Sequence, residues 1–575
     1  MQQNGTCWEG DVVVLGSGGA AMAAAVTAAV SGLKVLVLER DRVLGGTSAI
    51  SGGAIWIFGS RQAMAGGYQD TFENARTYLQ HVIGDAYSPD IVEAFLKRGA
   101  EALAFLEEHT ALHYTVRPLS PDYYPDLPGA TDAGRALEAG EFDGTRLGRY
   151  FALLRTPPKG MMGFGGMMVN RIDIHHFLHV RTSLKSLLHM ARLTLRFWID
   201  RLRYPRGTRL VIGNGMIAAM LKAALDRDAE FHLGVETKSF LTSAEGAVTG
   251  VEAETAASGL VRIHARRGVI LGTGGLSRRP DALQYRPGTR DDHLTMAAPT
   301  ADGSMISLAE RQLGARVGGN LKGNFYWAPM SELRERNGAH EVFPHIVTDR
   351  AKPGIIAVTE KGARFVNEAH SYHRFVEAMI AEQRKGITRF YLIADRKALH
   401  AYGLGLVRPI LGLHRRFLES GYLVKAASIP ALAARLEIDP AALRATVEEF
   451  NRDARAGVDT RFHKGGDSYN RHMGDSRATH PCLAPLDTPP FYAVRLVTGD
   501  LGSAMGLMTD AHARVLRPDG SAIPGLYAVG TDMNSVVGGT YPGAGIVLGT
   551  GLTFGYIAAQ TIAEMVDKQE TDSQA

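Results

Sequence analysis

Residues 11–39 constrain this chain more than any other stretch. Asp11 to Leu15 (DVVVL) is a short β-branched apolar run, the pattern of a parallel strand buried on both faces. It leads into Gly16-Ser17-Gly18-Gly19-Ala20-Ala21, then an Ala/Val-rich helical stretch to about Val30 and a stop at Gly32. A second strand, Lys34 to Leu38, ends at Glu39. Strand, glycine loop, helix and strand in that order, with G-x-G-x-x-A spacing, point to a dinucleotide site. Gly16 allows the turn, Gly18 lets backbone reach a pyrophosphate, and Ala21 keeps helix and strand close. The N–H groups at the helix start, from Gly19 and Ala20, favour phosphate. Glu39, 21 residues beyond Gly18 and followed by Arg40, suits ribose hydroxyls and disfavours a 2′-phosphate.

Two further segments say which dinucleotide. Gly45-Gly46-Thr47-Ser48-Ala49-Ile50-Ser51-Gly52-Gly53 follows the ribose acid, richer in glycine and hydroxyls than an NAD site needs. Near the other end, the strand Gly525-Leu526-Tyr527-Ala528-Val529 runs into Gly530-Thr531-Asp532. Gly538-Gly539-Thr540-Tyr541-Pro542-Gly543-Ala544-Gly545 then opens a helix expected from Ile546, through Val547 and Leu548, to about Ala559. Two distant segments that both read as cofactor-contacting describe FAD stretched across a Rossmann-type sheet. The 66 glycines among 575 residues fit that reading; the ordinary share is about 7%.

Other classes drop out. Cys7 and Cys482 are too few for a disulfide framework, an iron–sulfur cluster or a C-x-x-C-H haem. The N-terminus lacks a signal-peptide pattern, so the expected location is cytoplasmic, with a peripheral place on the inner face of the cell membrane as an extension. No run of about 18 apolar residues is evident, so no membrane span is expected. The polar tail after about Asp567 reads as loose. No internal repeat, metal-ligand spacing or Ser/His/Asp order stands out. The +4 net charge conceals a local +7 from Arg181 to Arg209, on a remainder of −3. That is not the broad basic surface of a nucleic-acid binder.

With these segments the sequence resembles the flavoprotein family of succinate dehydrogenase and fumarate reductase over nearly its whole length. Further markers are Gly272-Thr273-Gly274-Gly275 after the strand Gly268 to Leu271, Thr300-Ala301-Asp302-Gly303, and Gly362-Ala363-Arg364-Phe365-Val366-Asn367-Glu368. The resemblance implies an α/β fold. Its discontinuous Rossmann-type FAD-binding domain covers residues 1–310 and 495–575, with an α+β substrate domain inserted at 311–494. By the same analogy Gly274, Asp532 and the backbone of Thr237 meet the cofactor. The first glycine segment lacks the His that tethers flavin in some relatives, so FAD is expected to be non-covalent.

Dicarboxylate members of that family need a His and Arg pair in the C-terminal glycine segment, because a dianion cannot be desolvated without cations. This chain has no Arg or His after Arg517, which argues against succinate and fumarate. Instead Gly539-Thr540-Tyr541-Pro542-Gly543-Ala544-Gly545 resembles the 3-ketosteroid dehydrogenases, above all the Δ1-dehydrogenases. Pro121-Asp122-Tyr123-Tyr124-Pro125, Asn367-Glu368-Ala369-His370-Ser371-Tyr372 and Gly499-Asp500-Leu501-Gly502 resemble their motifs too. That likeness implies roles. Tyr541 O–H and Gly545 N–H would hold the C3 carbonyl oxygen. Tyr372, bonded to Tyr123, would take a C2 proton, while the C1 hydrogen leaves as hydride to flavin N5 and onward to an external acceptor, a quinone or another. Tyr124 could replace Tyr123. A free tyrosine, pKa about 10, is roughly 0.1% ionised at neutral pH, so a hydrogen bond, dipole or cation must favour the phenolate. The alternatives on this fold are Δ4-(5α) dehydrogenation, reduction of another hydrophobic enone, or a flavin electron carrier without substrate.

The stretch 155–210 stands apart. Met161, Met162, Met167 and Met168 surround a Gly-Phe-Gly-Gly core. Leu184, Leu187, Leu188, Ala191, Leu195, Trp198 and Leu202 then recur at helical spacing, offset from Lys185, Arg192, Arg196 and Arg203. The stripe either packs on the protein with its arginines solvated, or lies on an anionic membrane through residues 181–204.

Overall fold

The computed structural model describes residues 7–158, 162–180, 182–286, 288–319, 321–335, 338, 340–409 and 414–574. Met161 and Arg181 lie outside them. Among the described residues, eight strands form the principal sheet. Its parallel centre runs Ala522–Ala528, Gly259–Leu271, Cys7–Leu15, Val35–Glu39 and Glu230–Leu233. Val12, Val13 and Val14 are fully buried, because the sheet is covered on both faces. Arg514–Leu516 adds an antiparallel edge, and Val235–Thr242 and Val248–Thr255 continue the sheet from the outer half of Gly259–Leu271.

The helix Gly19–Val30 packs against this sheet, the last helix and the helix Pro89–His109. Its alanines make that close approach geometrically cheap. The last helix runs from Ile546 to Gln574, so the backbone stays helical where the sequence suggests a loose tail. Its span Ile546–Met565 is long and apolar enough to cross a membrane, with mean hydropathy 1.4, contrary to the expectation that no such run exists. Most of it is buried against neighbouring helices, which makes it a core helix here. A helix runs from Ile212 to Leu225. Buried Asn214 in its first turn donates its amide to the carbonyls of Ala49 and Arg155, tying that turn to the glycine-rich segment 45–53 and to the chain at 155.

A second, antiparallel sheet runs Ile355–Thr359, Phe390–Ala394, Phe491–Leu496, Leu423–Ala426. Its residues alternate strictly. Ile356, Val358 and Ile393 face the helices Ile429–Leu436 and Pro440–Ala456, capped by Ser428 and Asp439. Ile355, Ala357 and Leu392 face the other way, into the core that also holds Val13 and Leu271. The helix Tyr372–Arg384 lies on that inner side, against the strand Phe325–Trp327. The two sheets thus share one apolar core, and the first turn of Tyr372–Arg384 points its tyrosine toward the flavin-domain loops.

Gly16 joins the first loop closely to the neighbouring strand. Its φ is +99°, and a Cβ there would sit 2.2 Å from the Gly272 carbonyl oxygen. Gly16→Ala should therefore separate two adjacent parallel strands at their carboxyl ends. A lower thermal midpoint, with flavin content well below wild type by absorbance, is the expected outcome.

Candidate functional site

The predicted cofactor residues converge although they are spread over most of the chain. Gly16, Glu39, Arg40 and Thr237 line one cleft together with Thr273 and Thr300. Ser17 donates to Glu39 at 2.5 Å, and the Asp41 N–H donates to the same carboxylate at 2.8 Å. Burial pushes the Glu39 carboxyl up, against these two bonds. Arg40 is held by the Thr300 carbonyl at 2.8 Å and by Asp302 at 2.8 Å, which gives the Thr-Ala-Asp-Gly motif a structural task.

The glycine- and hydroxyl-rich segment lies alongside the phosphate loop. Ser48 accepts from the Gly19 N–H at 2.9 Å, Ser17 accepts from the Gly45 N–H at 2.9 Å, and Thr47 accepts from the Ala298 N–H at 2.8 Å. Ser51 takes the Gly53 N–H at 3.2 Å, while Gly52 borders open space and Gly46 sits against Gly18. Ala20 abuts Gly530, Ala21 abuts Gly272, and Leu548 abuts Gly19, so the end of the chain closes on its beginning. Val547 and Leu548 are only half-buried as the last helix starts.

Asp532 has a structural task in this loop. Its buried carboxylate accepts from Thr273 N–H at 2.5 Å, Thr273 O–H at 2.7 Å and Gly275 N–H at 2.8 Å. These bonds shape the loop that carries Gly274. Ser48 occupies the Gly19 N–H expected to favour phosphate, so of that pair the Ala20 N–H is the one that donates to none of the described residues. The cleft's donors fit a dinucleotide whose flavin end would extend toward Gly545.

The three predicted tyrosines meet. Tyr123 and Tyr372 hydroxyls are 3.2 Å apart, the Tyr123 and Tyr541 rings stack at 5.5 Å, and Tyr372 meets Tyr541 edge-on at 5.1 Å. Tyr124 is not the partner: it points away and stacks under Arg374 at 5.0 Å. Beside Tyr541, the Gly545 N–H donates to none of the described residues. Gly545 adopts φ +92°, and a Cβ there would lie 2.4 Å from the Ala54 carbonyl. Glycine is required for that N–H to point where it does.

Sequence reasoning missed what holds these tyrosines. The Pro542 carbonyl accepts from Tyr123 N–H at 2.8 Å and Tyr78 O–H at 2.5 Å, fastening the Tyr541 loop to the Tyr123 loop. Asp122 accepts from Trp56 Nε1 and from Arg135, both at 2.8 Å, and Arg135 also pairs with Asp70. Burial raises the Asp122 carboxyl to about 6 despite Arg135. Two more tyrosines complete the cluster: Tyr469, 4.9 Å from the Tyr123 ring, and Tyr326, edge-on to Tyr541 at 5.6 Å and donating to Ser535 at 2.9 Å. Asp122 was legible beside Tyr123 in its motif; nothing around Tyr469 in the sequence marks it.

Burial dominates the protonation of the cluster. It holds Tyr372 and Tyr123 well above the ordinary phenol value and pushes Tyr541 up to about 12. The buried guanidinium of Arg350 opposes this at Tyr469. Arg350 itself is committed to the carbonyls of His345, Glu368 and His370.

The chain matches the model of the family described as FAD binding domain over residues 11–548. It is 39% identical over 571 residues to a 4-oxocyclohex-2-ene-1-carboxylate 5-dehydrogenase of Sinomonas cyclohexanicum, covering 97% of this chain and 95% of that one. It is 34% identical over 584 residues to a 3-oxosteroid 1-dehydrogenase of Mycobacterium tuberculosis, covering 98% and 100%. Among solved structures, a 3-ketosteroid delta1-dehydrogenase from Sterolibacterium denitrificans in complex with 1,4-androstadiene-3,17-dione aligns with a TM-score of 0.90 and 34% identity, over 97% of this chain and 100% of that one.

Replacing Asp532 by Ala strands two buried backbone donors, each costing about 1–3 kcal/mol. The variant should lose flavin on dilution and gel filtration while the wild type keeps it, with a thermal midpoint several degrees lower.

Proposed function

The chain belongs to the FAD binding domain family as an oxidoreductase, and from that premise we propose that it introduces a ring double bond beside the carbonyl of a cyclic ketone, in the first instance the 1,2-bond of a 3-ketosteroid. The observation that carries this reading is the juxtaposition of Tyr123, Tyr372 and Tyr541 beside the unpaired Gly545 N–H. Two donors, Tyr541 O–H and Gly545 N–H, hold a carbonyl oxygen and stabilise it as negative charge develops. The carbon next to that carbonyl becomes acidic, and Tyr372 takes its proton, with Tyr123 holding the phenol oxygen. Gly16, Glu39, Arg40 and Thr237 would hold FAD non-covalently, and the bound cofactor would supply the acceptor for the hydride that leaves the adjacent carbon. The balance is one proton to the tyrosine, one hydride to the cofactor and one new carbon–carbon double bond. The electrons then pass to an external acceptor such as a quinone.

Apolar walls suit a steroid. Tyr326 and Tyr469 present ring faces and edges to the cluster, and a neutral ring system needs no cation to be desolvated there. The 39% identity to a cyclic oxo-acid dehydrogenase favours a second reading, in which the ring carries a carboxylate. Such a substrate needs a cationic anchor. Arg374, half-buried over Tyr124 next to the cluster, is the candidate, since Arg350 is spent on carbonyls.

Tyr372→Phe should lower kcat by ~10²–10⁴ and Tyr541→Phe by ~10²–10³, both with flavin retained. Normal turnover in both variants would refute the assignment. Because burial raises the Tyr372 phenol, its base form grows as pH rises, so kcat/KM should climb from neutral into alkaline pH, and the Phe variant should lose that limb.

Substrate class separates by anaerobic flavin bleaching with a 3-ketosteroid against 4-oxocyclohexanecarboxylate. A steroid enzyme bleaches with the first and is indifferent to Arg374→Leu. An oxo-acid enzyme bleaches with the second and loses at least ~10-fold in KM with that variant.

A further inference from the structure

A surface helix ordinarily turns its apolar stripe inward and its polar residues to water. The helix Leu184–Asp200 does the reverse. Its inward side is polar and pinned: Ser186 bonds His176 Nδ1 at 3.0 Å, and His189 Nε2 meets Asp173 at 2.8 Å, which also holds Arg209. The Asp200 carboxylate accepts from both the N–H and the O–H of Thr208. Phe197 is the one large apolar side chain of the helix that is buried, against Gly166 and Gly207. The leucines face out. Leu184 is 71% exposed, Leu188 61%, Leu195 63%, Trp198 55% and Ile199 57%. So of the two readings open from sequence, packing on the protein fails. The inner hydrogen bonds set the rotation of the helix, and that rotation leaves the stripe outside.

The charges are arranged to match. At about 100° per residue, those five apolar side chains span an arc of about 100°, and Lys185, Arg192 and Arg196 form a narrow row about 90° further round. The helix's one acid, Asp200, is turned inward. Leu202, 84% exposed, continues the stripe past the helix end, and Phe164, 65% exposed, extends it sideways next to Trp198.

We propose that this face is a docking surface for an anionic lipid bilayer, with the leucines and Trp198 in the acyl boundary and the basic row at the phosphates. Positive charge confined to the flank of an exposed apolar stripe is what such an interface requires. A second copy of the chain would instead bring like charges together along the same flank. The inference holds whichever cyclic ketone is oxidised. A bilayer is also where a lipophilic ketone and a quinone both dissolve.

The test uses the full-length, flavin-loaded protein and vesicles of phosphatidylcholine with or without phosphatidylglycerol. We expect co-sedimentation with the anionic vesicles at low salt, weakened at high salt. Tryptophan emission should be quenched by lipids brominated in the acyl chain, and Trp198→Phe should abolish that quenching, because Trp198 is exposed whereas Trp56 and Trp327 are buried and Trp8 is half-buried against His232. The pair Leu188→Asp and Leu195→Asp should reduce binding at least ~10-fold. The triple Lys185→Gln, Arg192→Gln, Arg196→Gln variant should bind at least ~10-fold more weakly at low salt and lose the salt dependence. Unchanged flavin absorbance and thermal midpoint show that the variants fold. The proposal is overturned if wild type ignores anionic vesicles at low salt or if the Asp pair binds as well as wild type. It fails equally if light scattering finds a dimer that the Asp pair splits, which would make the face a self-association surface.

Discussion

Backbone laid directly on backbone is the constraint from which the site follows. At Gly16 the first loop touches the end of the neighbouring strand, and at Gly545 the last loop touches Ala54. Both contacts exclude any side chain, so both fix the distance between parts of the chain that are hundreds of residues apart. The Pro542 carbonyl adds direction, because two donors from separate elements converge on it. Tyr541, Tyr123 and the Gly545 N–H are thereby set in one frame before any ligand enters. Such pre-set donors cost little reorganisation when charge develops on a bound oxygen.

The same frame makes the tyrosines hard to ionise. Five of them are buried together, and burial opposes phenolate at each one. A chain of hydroxyls in such a place holds protons tightly and passes them only along fixed contacts. Beneath Tyr372 a buried charge network holds its segment rigid. Arg364 grips Glu368 and Asp459, each with a pair of bonds, and Lys464 reaches the Ile355 carbonyl at 2.6 Å. Networks of this kind contribute less to net stability than to a single geometry, because desolvation consumes much of the Coulomb gain. Here the geometry is the position of residues 367–372, just ahead of the helix that carries the tyrosine.

Much of this was legible. The glycine loops, the ribose acid and the strands beside them depend on local rules of turn, close approach and hydrophobic period, which a sequence states directly. The tyrosine motifs could be placed by resemblance. Asp532 could be found, but its loop-shaping role could not: the bonds of its carboxylate to Thr273 and Gly275 span more than 250 residues of chain. Tyr469 and Arg135 were invisible, because what gives each its place is a contact across many residues of chain and not a local pattern. The anchoring of the helix that starts at Ile212 was equally hidden, since the buried amide of Asn214 pairs with residues 49 and 155.

The basic amphipathic helix shows the division most clearly. By itself the sequence determined that residues 184–202 have one apolar stripe and one basic row, because side-chain spacing along a helix is fixed by its pitch. It equally determined a strand–loop–helix unit of the dinucleotide-binding pattern, through the same kind of local geometry. Which way the stripe faces, and which of two adjacent tyrosines reaches Tyr372, only the tertiary structure decided. Orientation is set by the partners on the far side of a contact: Thr208 and Asp173 for the helix, Pro542 for the tyrosine. No local pattern in the chain encodes those pairings.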